Sequence, residues 1–525
     1  MSLVHRFVLI WLVCSCAEPD EDLVRTHSRI DSDLIRSIEF QLPDSTDSEG
    51  RRLAKLHCQS CHVFVEPDLL DRKTLRESAL PMLAKILGLP QELAGLPPKK
   101  QDRSVETPGT YPTEALIPIE VWPSIVDYYL ASAPEEPLPQ GERPPIGNDL
   151  AQFEVVSPIH RVDNPFTTLV EIHEGRIYVG DSRDKSVAIL DGAGRLVQKL
   201  RLDLTPTDID WHEGTIWVTS IGSPFPSDEP LGQLMSVAAE GDKYLNVGRR
   251  VLRNLSRPVA TSFADLFGDG KTEIIVSEFG NRLGHLSYFT QGDEGQYTEH
   301  LLNEYPGALS HAIRDFNDDG LADIIVLMGQ AREGIFIYYN RGDGRFEESY
   351  VVQWPPSYGA AHMSVVDFDS DGDFDLLTAN GDNADYALTL KRYHGVRLYL
   401  NNGHNHFTEA YFFPLNGAYK ALSADFDGDG DLDIAAISFF ADFERSPEEV
   451  FIYLENKGSL NFTPSTFAGS LQGRWLTMDV GDVDLDGDED IVLGSFAMGW
   501  SNVSRDLEAA WRQGPSVLIL ENRKN

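Results

Sequence analysis

The stretch DFDGDGDLDIAA, residues 425–436, decides the fold. It joins an acidic turn to the apolar start of a strand, and the chain uses that unit repeatedly. DLFGDGKTEIIV begins at Asp265, DFNDDGLADIIV at Asp315, DFDSDGDFDLLT at Asp367 and DVDLDGDEDIVL at Asp482. The intervals between the five are 50, 52, 58 and 57 residues. A second strand follows and runs into an Asn- or Gly-rich turn, as in IFIYYNRGDGRF from Ile335, VRLYLNNGHNHF from Val396 and VFIYLENKGSLNF from Val450. Two upstream pairs, LVEIHEGRIYVGD from Leu169 and TDIDWHEGTIWVTS from Thr207, keep the rhythm without the acids. Seven units of about 54 residues suit four-stranded propeller blades.

The ends of this region favour a closed ring over an open stack of β-repeats. The last unit stops at VLILENRKN, where the others continue into an outer strand such as HFTEAYFF. QFEVVSPI, residues 152–159, opens the β region and can supply the missing strand. Pairing the two termini leaves no free sheet edge. The expected fold is therefore multidomain, with an all-β seven-bladed propeller over 151–525 preceded by a small all-α domain.

Within each turn the pattern is Asp-x-Asp/Asn-x-Asp-Gly-x-x-Asp. Oxygens at positions 1, 3, 5 and 9, with a backbone carbonyl at 7, can surround a hard cation, and Gly at 6 permits the bend. An EF-hand would need Glu at position 12. Those positions are Val276, Val326, Thr378, Ala436 and Leu493, which belong to the next strand. The candidate Ca²⁺ ligands are Asp315, Asn317, Asp319 and Asp323; Asp367, Asp369, Asp371 and Asp375; Asp425, Asp427, Asp429 and Asp433; and Asp482, Asp484, Asp486 and Asp490. The Asp265 turn has Phe267 at position 3 and Glu273 at position 9, so about four Ca²⁺ ions are expected. Satisfaction by water and backbone N–H groups is the alternative for any one turn. Clustered carboxylates repel one another, which gives a bound cation a structural role.

Ahead of the repeats, residues 48–134 read as helical, ending in a run from Ile119 to Ala133 with Trp122, Ile125, Val126, Tyr129 and Leu130 at helical spacing. Pro97–Thr113 reads as a loop within it. Residues 17–47 are acidic and read as a tether, and residues 135–150 are a Pro-rich linker.

Cys58-Gln-Ser-Cys61-His62 in the helical part is the attachment signature of c-type haem. Two thiols three positions apart can add to one edge of a porphyrin, and the adjacent imidazole can reach the iron. A zinc site would need a second cysteine pair, and a thioredoxin-like pair would need a βαβ setting. Met82, the one methionine in this segment, is the candidate sixth ligand. A core methionine on an amphipathic helix is the alternative reading.

Only four cysteines occur, and Cys14 and Cys16 lie in the leader. His5 and Arg6 precede a short apolar run, Phe7 to Val13, too short to span a bilayer. Val13-Cys14-Ser15-Cys16 resembles a bacterial lipobox. The resemblance implies a lipoprotein-type signal peptide over 1–16, an acyl anchor at Cys16, and export to the periplasm or outer membrane and cell surface of a bacterium. The net charge of −39 repels phosphate backbones and argues against nucleic acid as a partner.

Gly50, Leu53, Cys58, Cys61 and His62 resemble the first helix of the cytochrome c family, and YYLASAP at Tyr128–Pro134 resembles its last. The acidic turns resemble those of the FG-GAP (VCBS, integrin-α-like) repeats of seven-bladed propellers. Together these features resemble a family of bacterial exported proteins that fuse the two. The resemblance implies one covalent haem c, electron transfer to a redox partner protein, and a Ca²⁺-stabilised propeller as scaffold. Two other functions stay open. One is a haem-linked periplasmic oxidoreductase with substrate on the propeller, for which His311, His362, Lys420 and Trp475 could line one face. The other is an adhesion module binding a surface protein or carbohydrate through long loops such as Ser223–Gly232 and Trp500–Gly514.

Overall fold

The computed structural model describes residues 23–27, 29–30, 44, 46–59, 62–90, 93–97, 111–241, 243–245, 248–330, 332–382, 388–498 and 503–523. The leader, most of the Pro97–Thr113 loop and Cys61 lie outside them.

Seven antiparallel sheets form a closed propeller. Their first strands, Thr167–His173, Pro206–His212, Pro258–Ala264, Ala308–Arg314, Ala360–Val366, Ala418–Ala424 and Trp475–Gly481, pack against one another around the axis. We number the blades 1 to 7 in that order. The second strand of each repeat is buried along its whole length: Glu273–Glu278, Asp323–Met328, Asp375–Asn380, Asp433–Ser438 and Asp490–Ser495. That burial on both faces explains the continuous apolar runs IIV at 274–276, IIV at 324–326 and IVL at 491–493.

Closure is made by the strand that the sequence nominates. Phe153–Val156 pairs antiparallel with Val517–Asn522 as the outer strand of blade 7, with Phe153 opposite Asn522 and Val156 opposite Ile519. Phe153 packs beneath Phe426 and Tyr453 of blade 6, so the joint is also part of the core.

Further strands are added outside the ring. Within the 17–47 segment, Leu23–His27 runs parallel to Tyr297–Asn303 of blade 3, and Arg29–Ile30 parallel to Arg345–Gln353 of blade 4. The Trp500–Gly514 stretch, read as a loop, contains a helix over Arg505–Gln513. Ser504 caps it by accepting from Leu507 N, and Trp511 is fully buried with its indole N–H donated to Leu471 O.

The helical segment is built on α1 (Glu49–Cys58), α2 (Leu80–Ile86) and α3 (Trp122–Ser132). A π turn over Leu75–Ala79 leads into α2, where Pro81 lacks the N–H that an unbroken α-helix would use. Leu53 and Ala54 of α1 pack with Trp122, Ile125, Val126 and Tyr129 of α3. Burying Ile125 and Val126 contributes about 1.5–3 kcal/mol each. The helices cross closely at Gly50, where a Cβ would lie 2.4 Å from Ser124 O and 2.5 Å from Tyr128 Cβ. Among the described residues no helix is long and apolar enough to cross a membrane.

The acidic turns and the helical segment occupy opposite rims. The turns join first strands to second strands, whereas the helices meet loops between second and third strands. Arg392 pairs with Asp68 at 2.5 Å, Tyr393 Oη donates to Leu69 O at 3.0 Å, and Thr74 and Thr389 hydroxyls lie 3.3 Å apart. The linker is pinned as well: Arg143 pairs with the buried Glu449 at 2.5 Å and donates to Pro414 O.

Candidate functional sites

Cys58 is the last residue of α1, half-exposed at the edge of the helical core. Ser48 starts that helix by accepting from Arg51 N. Arg51 then ties the start of α1 to the far side of the motif, with Nη1 2.7 Å from both Glu66 Oε2 and Tyr128 Oη. Tyr129 Oη donates to Val65 O at 2.9 Å. The segment after the cysteines is thus held from both α1 and α3.

His62 lies in that segment, with Nδ1 2.7 Å from Val63 O. A proton on Nδ1 donated to that carbonyl leaves Nε2 as the lone-pair nitrogen, the tautomer a metal-binding imidazole needs. Burial pushes the His62 pKa below its ordinary value, which favours the same neutral ring. Cys61, like Cys14 and Cys16, is outside the described residues.

Met82 is buried on α2, and its sulfur lies 3.6 Å from Arg282 Nη2 of blade 3. The same guanidinium donates to Tyr111 Oη at 3.3 Å, and Asp228 holds the loop by accepting from the backbone N–H groups of Arg282 and Leu283. Met82 therefore belongs to the contact between helices and propeller.

The acidic turns share one construction. The first carboxylate accepts from the amide of the Gly at position 6: Gly320 to Asp315 at 2.8 Å, Gly372 to Asp367 at 3.2 Å, Gly430 to Asp425 at 3.2 Å and Gly487 to Asp482 at 3.0 Å. The carboxylate at position 9 is a structural clamp. Asp323, Asp375 and Asp490 each accept from the amide at position 2 and from the Asn at the end of the third strand; Asp433 accepts from Asn456 N and Tyr453 Oη. Burial pushes Asp323 and Asp433 up to about 6 and Asp490 to about 7.

Carboxylate oxygens converge within 4.8 Å of one another in three turns: Asp367, Asp369 and Asp371; Asp425, Asp427 and Asp429; Asp482, Asp484 and Asp490. Asp367 Oδ1 and Asp425 Oδ1 are buried oxygens with no hydrogen-bond partner. Burial and the neighbouring carboxylates push Asp369, Asp427 and Asp484 up. In the Asp315 turn, Asn317 Oδ1 accepts from Asp319 N at 3.0 Å, which directs its side chain into the turn. Oxygen-only clusters with unanswered lone pairs suit a hard cation such as Ca²⁺.

Residues 315–378, 379–436 and 425–493 match the FG-GAP-like repeat family model. These segments are FG-GAP-like repeats. The match runs from the Asp315 turn of blade 4 through blades 5 and 6 into the second strand of blade 7, and the Asp265 turn continues the same geometry outside it. No curated protein matches the chain. Among solved structures the chain is similar to the N-terminal domain of Nup159, at 12% identity over 73% of this chain and 99% of that one, TM-score 0.40. It is also similar to Saccharomyces cerevisiae Sqt1, at 7% identity over 72% of this chain and 100% of that one, TM-score 0.43. The Neurospora crassa Pan2 WD40 domain gives 10% identity over 72% and 98%, TM-score 0.42.

Of the residues expected to line one face, His362 and Lys420 share a register position on the first strands of blades 5 and 6, with Asp208 at that level in blade 2. His311 is offset by one residue and so faces between blades, with Nδ1 2.8 Å from Ser277 Oγ. Trp475 is a core residue, fully buried, its indole N–H donated to Ser470 O. The sequence reading missed Glu171, Asp208 and Asp479 on the axial strands. Asp208 accepts from Thr261 N and Asp479 from Ile172 N, each across a blade boundary at 2.7 Å. Burial pushes Asp208 up to about 7 and raises Glu171, helped there by the Asp479 charge. Aligning the repeats by blade register would have revealed this ring, because its members lie two or four residues beyond the start of each first strand.

Proposed function

We propose that this chain is an exported electron-transfer protein: a c-type haem module held on one rim of an FG-GAP-like propeller whose other rim carries structural Ca²⁺. The observation that carries the reading is the pairing of His62 Nδ1 with Val63 O just beyond the thiol that ends α1. Cys58 and Cys61 would hold the porphyrin by thioether bonds, and His62 would bind its iron through Nε2. A bound haem supplies one-electron redox chemistry. The chain fixes the His62 ring through Val63 O, backs the motif with the α1–α3 core, and presents the module beside the loops of blades 3 and 5. As sixth ligand, Met82 would exchange its Arg282 contact for iron. The partner is a redox protein. An acyl anchor at Cys16 would keep the protein at the periplasmic or outer-membrane surface of a bacterium.

Absorption spectra of oxidised and reduced protein, produced with export-side haem-ligation machinery, test this. Sharp reduced bands that survive denaturation and extraction are expected, and a colourless product ends the reading. Cys58→Ala with Cys61→Ala should remove the bands and leave the propeller folded.

The ring of Glu171, Asp208 and Asp479 beside Lys420 favours a second reading, in which a small substrate is oxidised in the axial channel and reduces the haem. An acid held near neutrality can exchange protons with a substrate. Haem reduction by a sugar or alcohol without any partner protein would select it.

A further inference from the structure

A different set of residues makes a site in blade 3 that neither the repeats nor the haem motif uses. Glu278 ends the second strand, His285 opposite it opens the third, and Glu299 lies on the outer strand, Tyr297–Asn303. Both carboxylates are fully buried and His285 nearly so. On the side facing blade 2, Val276 and Phe289 pack with Leu234, Leu252 and Leu255, and Glu278 Oε2 accepts from Ser256 N at the end of that blade.

The two carboxylates converge on one nitrogen. His285 Nε2 lies 2.7 Å from Glu299 Oε1 and 2.8 Å from Glu278 Oε1. A ring nitrogen carries one proton, and that proton serves Glu299. Glu278 Oε1 is left without a hydrogen bond although it is buried and aimed at the same atom. The hydroxyl of Ser287, the next residue on the same face of the strand, is also buried and unbonded. Leaving a buried carboxylate oxygen unanswered is costly, and a proton at this point answers only one of the two.

We propose that Glu278, His285 and Glu299 form a divalent transition-metal site, with Zn²⁺ as the ion its one nitrogen and two carboxylates suit, and that this ion braces blade 3 beside its boundary with blade 2. Replacing the shared proton by the metal gives each of the three atoms a bond. Tetrahedral Zn²⁺ at about 2.0–2.1 Å from its ligands separates them by about 3.3 Å. The present separations need to open by about 0.5 Å, within reach of side-chain rotation. The imidazole excludes Ca²⁺ and Mg²⁺ as the matching ions, which divides this site chemically from the oxygen-only turns on the rim.

The test uses the full-length chain, freed of exchangeable transition-metal ions and held in excess CaCl₂ to saturate the acidic turns. Zn²⁺ titration should show one ion taken up per chain, and X-ray absorption of that sample should show a nitrogen–oxygen shell with a single imidazole. Glu278→Gln combined with Glu299→Gln should weaken uptake at least about tenfold. No uptake overturns the proposal, as does a sulfur shell, which would place the ion at Cys58 and Cys61. Uptake unchanged in the double variant overturns it too. Should that variant not fold, the absorption spectrum of the wild-type chain decides alone.

Discussion

The Asp265 and Asp425 turns have nearly the same backbone and opposite electrostatics. In the first, Asp265 uses both oxygens within its own loop, accepting from Asp269 N at 3.1 Å and Gly270 N at 2.9 Å. Those bonds, led by Gly270, hold its carboxyl below the ordinary range. Position 3 is Phe267, which packs edge-on against Tyr288. In the second, position 3 is Asp427, Asp425 Oδ1 has no partner, and three carboxylates converge. One turn closes on its own amides, while the other leaves an inward carboxylate oxygen without a partner. Backbone shape sets where the turn goes, and the count of inward oxygens sets whether it needs an ion.

The largest expected effect is therefore that of stripping Ca²⁺ from all the starved turns at once. At hundredfold excess over its dissociation constant, a cation stabilises by about 2.7 kcal/mol per site. Calorimetry with and without a chelator should show the melting temperature of the propeller fall by at least about 10 °C. The haem bands, if present, should stay unchanged, since the helices sit on the other rim. An unchanged melting profile would remove the distinction between the turns.

Single substitutions sharpen the same contrast. Asp427→Ala should cost about 2–3 kcal/mol in Ca²⁺ and lower the calorimetric stoichiometry by one ion. Asp269→Ala in the first turn should cost under about 1 kcal/mol and leave the stoichiometry alone, as it loses only the Asp269 bond to Lys271 N. The reverse experiment rebuilds the first turn: Phe267→Asp with Glu273→Asp should add one Ca²⁺ per chain. Aspartate at position 9 makes the clamp to the position-2 amide elsewhere, as Asp323 does to Phe316 N, so the turn should keep its shape.

How much of this was readable beforehand depends on the distance along the chain over which each feature is assembled. The acidic turns are local, nine residues long, and their spacing exposed the blade repeat. The closing strand was legible because the last unit lacked a partner that 152–159 could supply. The Arg505–Gln513 helix had local signals in the Ser504 cap and in Asp506 and Glu508 of its first turn, and was lost among loop-like neighbours. Met82 is different. Its helix follows from the sequence, but Arg282 stands 200 residues away and no pattern announces their contact. Glu278, His285 and Glu299 look like ordinary strand residues until the third and outer strands are in register. Likewise Glu171, Asp208 and Asp479 come from three blades, and they stand out only when the first strands are set in blade register.

Those axial acids give the most discriminating prediction, since their environment, unlike that of the rim turns, is set by blade packing. Asp208 has a pKa of about 7 in the folded chain against an ordinary 3.8, raised by burial. Between these values the folded state binds more protons than the unfolded chain, so stability falls as pH rises. The contribution is whole below about pH 4 and is lost as pH passes about 7. Asp208→Asn keeps an oxygen to accept from Thr261 N and carries no charge. With Ca²⁺ saturating throughout, the margin of the variant over the wild type should grow by about 2–3 kcal/mol between pH 5 and pH 8. Glu171→Gln should act in the same direction, because burial and the Asp479 charge raise Glu171 as well. A gap that instead widened toward pH 5 would mean that these carboxylates are ionised and paired in the folded chain. The axial ring would then be a brace in which Lys420 is paired with the charged acids around it.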